Sequence, residues 1–533
     1  MTQSYDFIVV GAGTAGCLLA NRLSANDKYS VALIEAGGND NYHWVHIPVG
    51  YLYCMGNKRT DWLYKTTSQK GLNGRSLNYP RGKIMGGCSS INGMIYMRGQ
   101  AGDYDQWRQM GNEGWSWDDV LPYFKNMEDS YEGESKFHGS GGEWKVNQQR
   151  LSWDILDSFR DATIEAGIPK IDDFNEGNNF GVSYFKVNQN SGFRWNTVKA
   201  FIKPIQNRKN LKIISKCEVK KIILNKKKCK GIEVVRNGKL EEIFAHREVI
   251  LSAGSIGSPK ILELSGIGNP KILSNLGINT LVESDNVGEN LQDHLQLRVI
   301  YRLENAKTLN QKANSLFGKI AIGLEYALKR TGPMSMAPSQ LGVFAMSDKS
   351  YETPNLQFHV QPLSLDKFGD PLHDFPGLTA SVCNLNPQSR GNVHITSKDY
   401  KTAPSIDPNY LSEEKDKIVA AQSIKLARKI ISQPAMKKYN PKEFAPGIQF
   451  QSEDELKKVA GDIGTTIFHP VGTCAMGSNK TSVTDSSLKV RGVDGLRIAD
   501  ASVMPTITSG NTNAPTLMIA EKASEMILQS HKI

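Results

Sequence analysis

The segment FHPVGT, from Phe468, sets His469 between an aromatic residue and Pro470. An imidazole that titrates near neutrality suits proton transfer with a hydroxyl oxygen, and the proline stiffens the backbone beside it. A histidine next to a phenylalanine is ordinarily a satisfied core residue, so the local pattern leaves both roles open. His294 in LQDH and His359 in NLQFH are the other candidates among ten histidines, and burial or structural support suffices for each. Asn511, Thr512 and Asn513 lie just before a helical pattern that begins near Pro515, where amides and the helix dipole favour negative charge. Helix capping is the plain structural role for Asn513.

A second chemistry is legible at the N terminus. Gly11, Gly13 and Gly16 in GAGTAG follow the apolar run Asp6 to Val10 and open a helix through Leu18, Leu19 and Leu23. A second strand, Val31 to Ile34, ends at Glu35. Strand, glycine turn, helix and strand form the unit that seats a dinucleotide pyrophosphate on a helix N terminus. The first glycine allows the turn, the second the approach of phosphate, and the third close packing of helix on strand. Glu35 is expected to accept from a ribose hydroxyl, which disfavours NADP and leaves NAD and FAD open. The loop RGKIMGGCSSINGM, from Arg81, could bring more backbone amides against phosphate or flavin. A polar turn with Gly86 and Gly87 at positive φ is its plain alternative.

These groups need a scaffold. EVILSAGSIGSPKILELSGIG, from Glu248, reads as a further parallel strand and helix. GLRIADAS, from Gly495, reads as a strand ended by Asp500, with the last helix returning to the first domain. From about Val299 to Asp454 the character changes. Alternation in NLQFHVQ, a turn at NPQSRGN, then NVHITS suggest antiparallel strands with helices on one face.

The expected fold is therefore α/β, with a nucleotide domain of residues 1–155, 192–298 and 459–533 and a second domain of 156–191 and 299–458. A chain of 533 residues calls for two lobes. The net charge of +10 comes from dispersed lysines, and no nucleic-acid partner is expected. The opening MTQSYDFIVV has no basic leader, and no apolar window spans a bilayer. The seven cysteines form no CxxC pair, which fits a reducing compartment without zinc or any other metal. Cys88 and Cys474 read as small apolar fillers. A cytoplasmic protein is expected, with at most peripheral contact at the inner face of a membrane.

Taken together, GAGTAG with Glu35, RGKIMGGCSSINGM, GSIGSPKILELSGIG, VGENLQDH, FHPVGTCAMG and DASVMPTITSGNTNAPT make the chain resemble the glucose-methanol-choline oxidoreductase family over its whole length. The resemblance implies a discontinuous Rossmann-like FAD domain roofed by a domain with an antiparallel sheet. By position it implies FAD contacts from Gly11, Gly13, Thr14, Ala15, Gly16, Glu35 and Ala36. From the second loop and its approach come Trp62, Arg81, Gly86, Gly87, Asn92, Gly93 and Met94. Val219, Ala253, Asp500, Ala501, Asn511 and Thr512 complete the set. Ile91 stands where some members attach flavin through histidine, so FAD is expected to be non-covalent.

The implied reaction oxidises a primary alcohol to an aldehyde. His469 takes the hydroxyl proton and Asn513, where the family places a histidine or asparagine, donates to the alkoxide-like oxygen. Hydride passes to flavin and the electrons go on to a quinone-like acceptor or O2. Choline dehydrogenase is the alternative nearest to this reading. Gln340 stands approximately where a choline enzyme is expected to carry a glutamate, which counts against choline. A flavin-containing lyase or photodecarboxylase is the alternative outside alcohol oxidation.

Overall fold

The computed structural model describes residues 3–532. Met1 and Thr2 of the N-terminal reading above lie outside them.

The apolar runs at the N terminus form adjacent parallel strands, Gln3–Val10 and Val31–Ile34. Leu211–Ile214 extends this sheet on one side, and Lys239–Leu251 then Leu496–Ile498 extend it on the other, all parallel. The helices Thr14–Leu23 and Asn513–Ser530 cover it, which explains strand runs that are apolar throughout. The first half of Lys239–Leu251 also pairs antiparallel with Lys228–Arg236, and that strand with Cys217–Asn225. Strands Val10, Ile34 and Leu251 therefore end together, at the edge where open α/β sheets bind ligands.

The second sheet is antiparallel, in the order Lys442–Ala445, Leu295–Arg302, Gly377–Asn384, Leu356–Gln361, Leu341–Ala345 and Gly181–Tyr184. The helices Asp154–Glu165, Glu414–Ile431 and Glu453–Ile463 pack on one face, against Leu297, Val299, Phe358 and Val360. Every residue from Leu356 to Val360 is buried, because the opposite, more polar face looks onto the first domain instead of solvent.

Two sequence expectations change here. Asn392–His394 leaves the main sheet and pairs with Ser405–Asp407 as a separate ribbon. Leu295–Arg302 and Gly464–Thr466 both join the second sheet, so that sheet takes up chain on the nucleotide side of the expected limits at 298 and 459.

Charged groups tie the loops down. His138 bridges Glu128 at 3.1 Å and Asp173 at 2.7 Å, and His394 bridges Glu263 at 2.7 Å and Glu289 at 2.9 Å. Burial opposes each imidazolium, but the bonds to the carboxylates outweigh it and raise both histidines to about 9. A raised histidine stabilises the fold fully below its unfolded value of 6.5 and loses that contribution as pH climbs through about 9. The unfolding midpoint should therefore fall between neutral pH and pH ~10, and the double variant His138→Gln, His394→Gln should flatten that decline. An equal decline in the variant would remove these histidines as its cause.

Candidate active site

A cavity of about 800 Å³ lies between the two sheets, walled on one side by the strand ends Val10 and Ile34 and on the other by Gln296, Arg298, His359 and Gln361. Its floor holds Gly11, Gly13, Thr14, Ala15, Glu35 and Ala36, with Ala253 and Val219 beside them. Trp62 lines it from the approach to the second loop, Arg81, Gly87, Asn92, Gly93 and Met94 from that loop, and Asp500, Ala501, Asn511, Thr512 and Asn513 from the C-terminal turn. Gly16 and Gly86 stand behind the wall. A Cβ on Gly16 would come within 1.8 Å of the Gly11 carbonyl oxygen, so that glycine lets the helix close onto the turn. Gly86, at φ 87°, donates its N–H to the Ala12 carbonyl at 2.7 Å and props one glycine loop on the other.

Glu35 accepts from the Ala12 N–H at 2.9 Å and from the Gly37 N–H at 2.7 Å. Burial pushes it up to about 7 against the pull of those amides. Its carboxylate thus shapes the turn, and each oxygen keeps a further lone pair for a hydroxyl. The Lys83 ammonium sits 4.0 Å over the Trp62 ring and fixes the indole. Asp500 accepts from the Gly254 N–H at 2.9 Å and the Ser258 hydroxyl at 2.6 Å, which anchors the start of the helix Gly254–Leu264.

His469 is placed by a chain of bonds whose directions can be read. The His294 Nε2 lies 3.0 Å from the Leu385 carbonyl, which can only accept, so Nε2 carries the proton. Burial lowers His294 to about 4, the ring is neutral, and its Nδ1 is an acceptor. The His469 Nδ1, 3.1 Å away, therefore donates to it, and the His469 Nε2 keeps a lone pair. Asn511 donates its amide to that Nε2 at 3.1 Å, and Gln357 donates to the Asn511 Oδ1 at 3.4 Å. Burial, then the neighbouring His294 and His359, hold His469 well below the usual histidine range, so it stands as a free base.

The backbone is held as firmly. Asp293 accepts from the His469 N–H at 2.7 Å, and its other oxygen accepts from the Thr466 hydroxyl at 2.6 Å, the Tyr79 hydroxyl at 2.9 Å and the Tyr410 hydroxyl. Phe468 takes a left-handed φ of 69°, and Arg81 donates to its carbonyl at 2.7 Å. Strain of this kind persists where the surroundings overdetermine it.

Asn513 does not meet His469, contrary to the sequence expectation. It is the first residue of the last helix, and its Oδ1 accepts from the Thr14 hydroxyl at 2.8 Å, which ties that helix to the glycine turn. Asn511, two residues earlier and before the helix, holds the position expected of Asn513. Gln340 does not line the cavity; its amide donates to the Ala337 carbonyl at 2.5 Å, so it says nothing about choline. The pattern also missed Asp293 and Gln357. The first stood in a motif already noted, LQDH, and the second on a strand with no local mark.

The chain matches the family model described as GMC oxidoreductase, its N-terminal part over residues 5–296 and its C-terminal part over residues 387–520. It is similar to the oxygen-dependent choline dehydrogenase of Photobacterium profundum, 39% identical over 99% of this chain and 94% of that one. It is equally similar to the alcohol dehydrogenase (acceptor) of Pseudomonas putida, 39% identical over 98% and 96%. Among solved structures it resembles pyridoxine 4-oxidase from Mesorbium loti, with TM-score 0.90 and 28% identity over 99% of this chain and 100% of that one. It also resembles formate oxidase, with TM-score 0.91 and 28% identity over 99% of each chain.

Proposed function

The chain belongs to the GMC oxidoreductase family, and from that premise we propose that it oxidises a primary alcohol to the aldehyde at His469 and Asn511. The observation that carries this reading is the unprotonated His469 Nε2 beside the Asn511 amide, 3.1 Å apart, on the wall of the cavity.

FAD is the cofactor, and the cavity fits it. A glycine cradle that a Cβ would fill faces the start of the helix Thr14–Leu23, where backbone N–H groups and dipole suit a pyrophosphate. Glu35 waits at the strand end. Ile91 lines the cavity and has no atom that could join flavin, which supports dissociable cofactor. When bound, FAD supplies the acceptor for the hydrogen and electron pair that leave the carbinol carbon.

The chain's own residues do the rest. His469 Nε2 takes the hydroxyl proton, and the Asn511 amide donates to the oxygen as negative charge gathers there. His294 and the Leu385 carbonyl keep the tautomer. The relatives and neighbours named above are dehydrogenases and oxidases, and they lend nothing to the lyase or photodecarboxylase alternatives. Mixing the purified protein with a panel of primary alcohols, choline included, in the dark and without oxygen should bleach the oxidised-flavin absorbance for one class. If no alcohol bleaches it, the proposal fails.

A peripheral membrane position is supported by the helix Leu316–Lys329. Leu316, Phe317, Ile320, Leu324 and Leu328 are exposed, Phe317 at 85%, and their spacing gathers them on one face. Lys312, Lys319 and Lys329 are exposed on the same segment, as in helices that lie on anionic bilayers. Lys319 and Ile322 also line the cavity, so a lipophilic quinone-like acceptor could enter from the bilayer. Among the described residues no helix is long and apolar enough to cross a membrane. Withdrawing a large apolar side chain from lipid costs about 1.5–3 kcal/mol. Phe317→Glu with Leu324→Glu should thus weaken sedimentation with anionic vesicles by more than ~tenfold and leave flavin reduction by a water-soluble alcohol intact. Unchanged sedimentation would refute this position.

A further inference from the structure

Arg298 is 9% exposed and lines the cavity from the second sheet. Its Nε and Nη2 meet no hydrogen-bond partner among the described residues, and no carboxylate there acts on its charge. Arg98 and Arg497, also deeply buried, donate to Glu128 and Glu248, each at 2.6 Å. A buried cation without a counter-ion is costly, and burial accordingly lowers Arg298 to about 10. Strand register sets Arg298, Ser381 and His359 in one row across the roof. The Ser381 hydroxyl and the His359 Nε2 likewise lack partners among the described residues.

We infer that Arg298 anchors a carboxylate at the far end of the alcohol, so that the substrate is a hydroxy acid. This rests on the alcohol-oxidising reading of the same cavity. A guanidinium matches the two oxygens of a carboxylate, whereas the quaternary ammonium of choline would meet a like charge there. Arg298 lies four residues on from His294, which immediately precedes its strand and touches His469, a span of roughly 13 Å at the usual rise. Apolar wall residues Met336, Leu363, Leu365 and Phe368 suit the carbon spacer between the two ends. The class is an ω-hydroxy acid with several carbons between carbinol and carboxylate.

The test compares an ω-hydroxyalkanoate, its methyl ester and the alkanol of the same length as reductants of the bound flavin. Wild-type protein should prefer the free acid in kcat/KM by at least ~tenfold, the scale of one charge-assisted bond. In Arg298→Gln the ratio of acid to alkanol should collapse towards one, with partial recovery in Arg298→Lys. As a readout separate from turnover, the alkanoate lacking a hydroxyl should raise the unfolding midpoint of the holoprotein and the methyl ester should not. That arm decides the matter even if Arg298→Gln fails to fold. Equal kcat/KM for acid and alkanol, a preference that survives in Arg298→Gln, or no shift with the alkanoate would overturn the assignment. Failure of every alcohol to bleach the flavin would instead overturn the alcohol reading, leaving the thermal shift to judge Arg298 alone.

Discussion

Replacement of His469 by alanine is expected to slow reduction of the bound flavin by alcohol about 10²–10⁴-fold, the range a positioned general base contributes. The size of the effect follows from how completely the site commits to one nitrogen. The His469 Nδ1 carries its proton toward His294, so the lone pair that can take a proton is on Nε2, where the hydroxyl would replace the Asn511 amide. The protein should still carry FAD, because the ring supports the hydroxyl and not the nucleotide. Rapid mixing of the variant with alcohol, read as loss of oxidised-flavin absorbance, measures this directly. A wild-type rate would move the base to another residue. His294→Ala should produce a smaller loss, since it frees the His469 tautomer without removing the base.

Gly16→Ala is expected to have the other large effect, a protein purified largely without flavin. The added Cβ would fall 1.8 Å from the Gly11 carbonyl oxygen, a backbone atom that cannot step aside without moving the turn. Gly11 in turn packs close to the Ser252 carbonyl, 2.6 Å from where its own Cβ would stand, so the displacement has nowhere to go. Overpacking of this kind costs about 1–3 kcal/mol or more. The loss falls on the turn that would receive pyrophosphate. The flavin-to-protein absorbance ratio after purification checks it, and a full complement of flavin would show that the turn tolerates the shift.

The parts of the site that the residues alone made legible are those whose chemistry is local. Gly11, Gly13 and Gly16 owe their roles to the turn they sit in, and Glu35 to the end of the next strand. His469 is not among them: beside Phe468 the local pattern leaves a core histidine open, and only the family resemblance names it as the base. Asn511 and Asn513 show where local pattern stops. Both belong to NTN, and which one faces His469 depends on where the helix begins. Because it begins at Asn513, that side chain turns back to Thr14, while Asn511 stays outside the helix and is held by Gln357 from the other domain.

The same limit explains the second sheet. NLQFHVQ alternates, but burial of both faces depends on the flavin domain that covers it. Asn392–His394 reads as a strand and is one, yet its partner, Ser405–Asp407, lies nearby in sequence and keeps it out of the main sheet. Arg298 carries no motif at all. Only the register that aligns it with Ser381 and His359, and its place on the cavity wall with Nε and Nη2 unpartnered among the described residues, mark it out.

The most direct test of the account is the deuterium effect on flavin reduction, with the best alcohol compared in its normal form and with both carbinol hydrogens replaced by deuterium. Breaking that carbon–hydrogen bond while His469 holds the hydroxyl proton predicts a slower bleaching rate for the deuterated alcohol. Bleaching at the same rate with both forms, at saturating alcohol and with rapid binding, would contradict it.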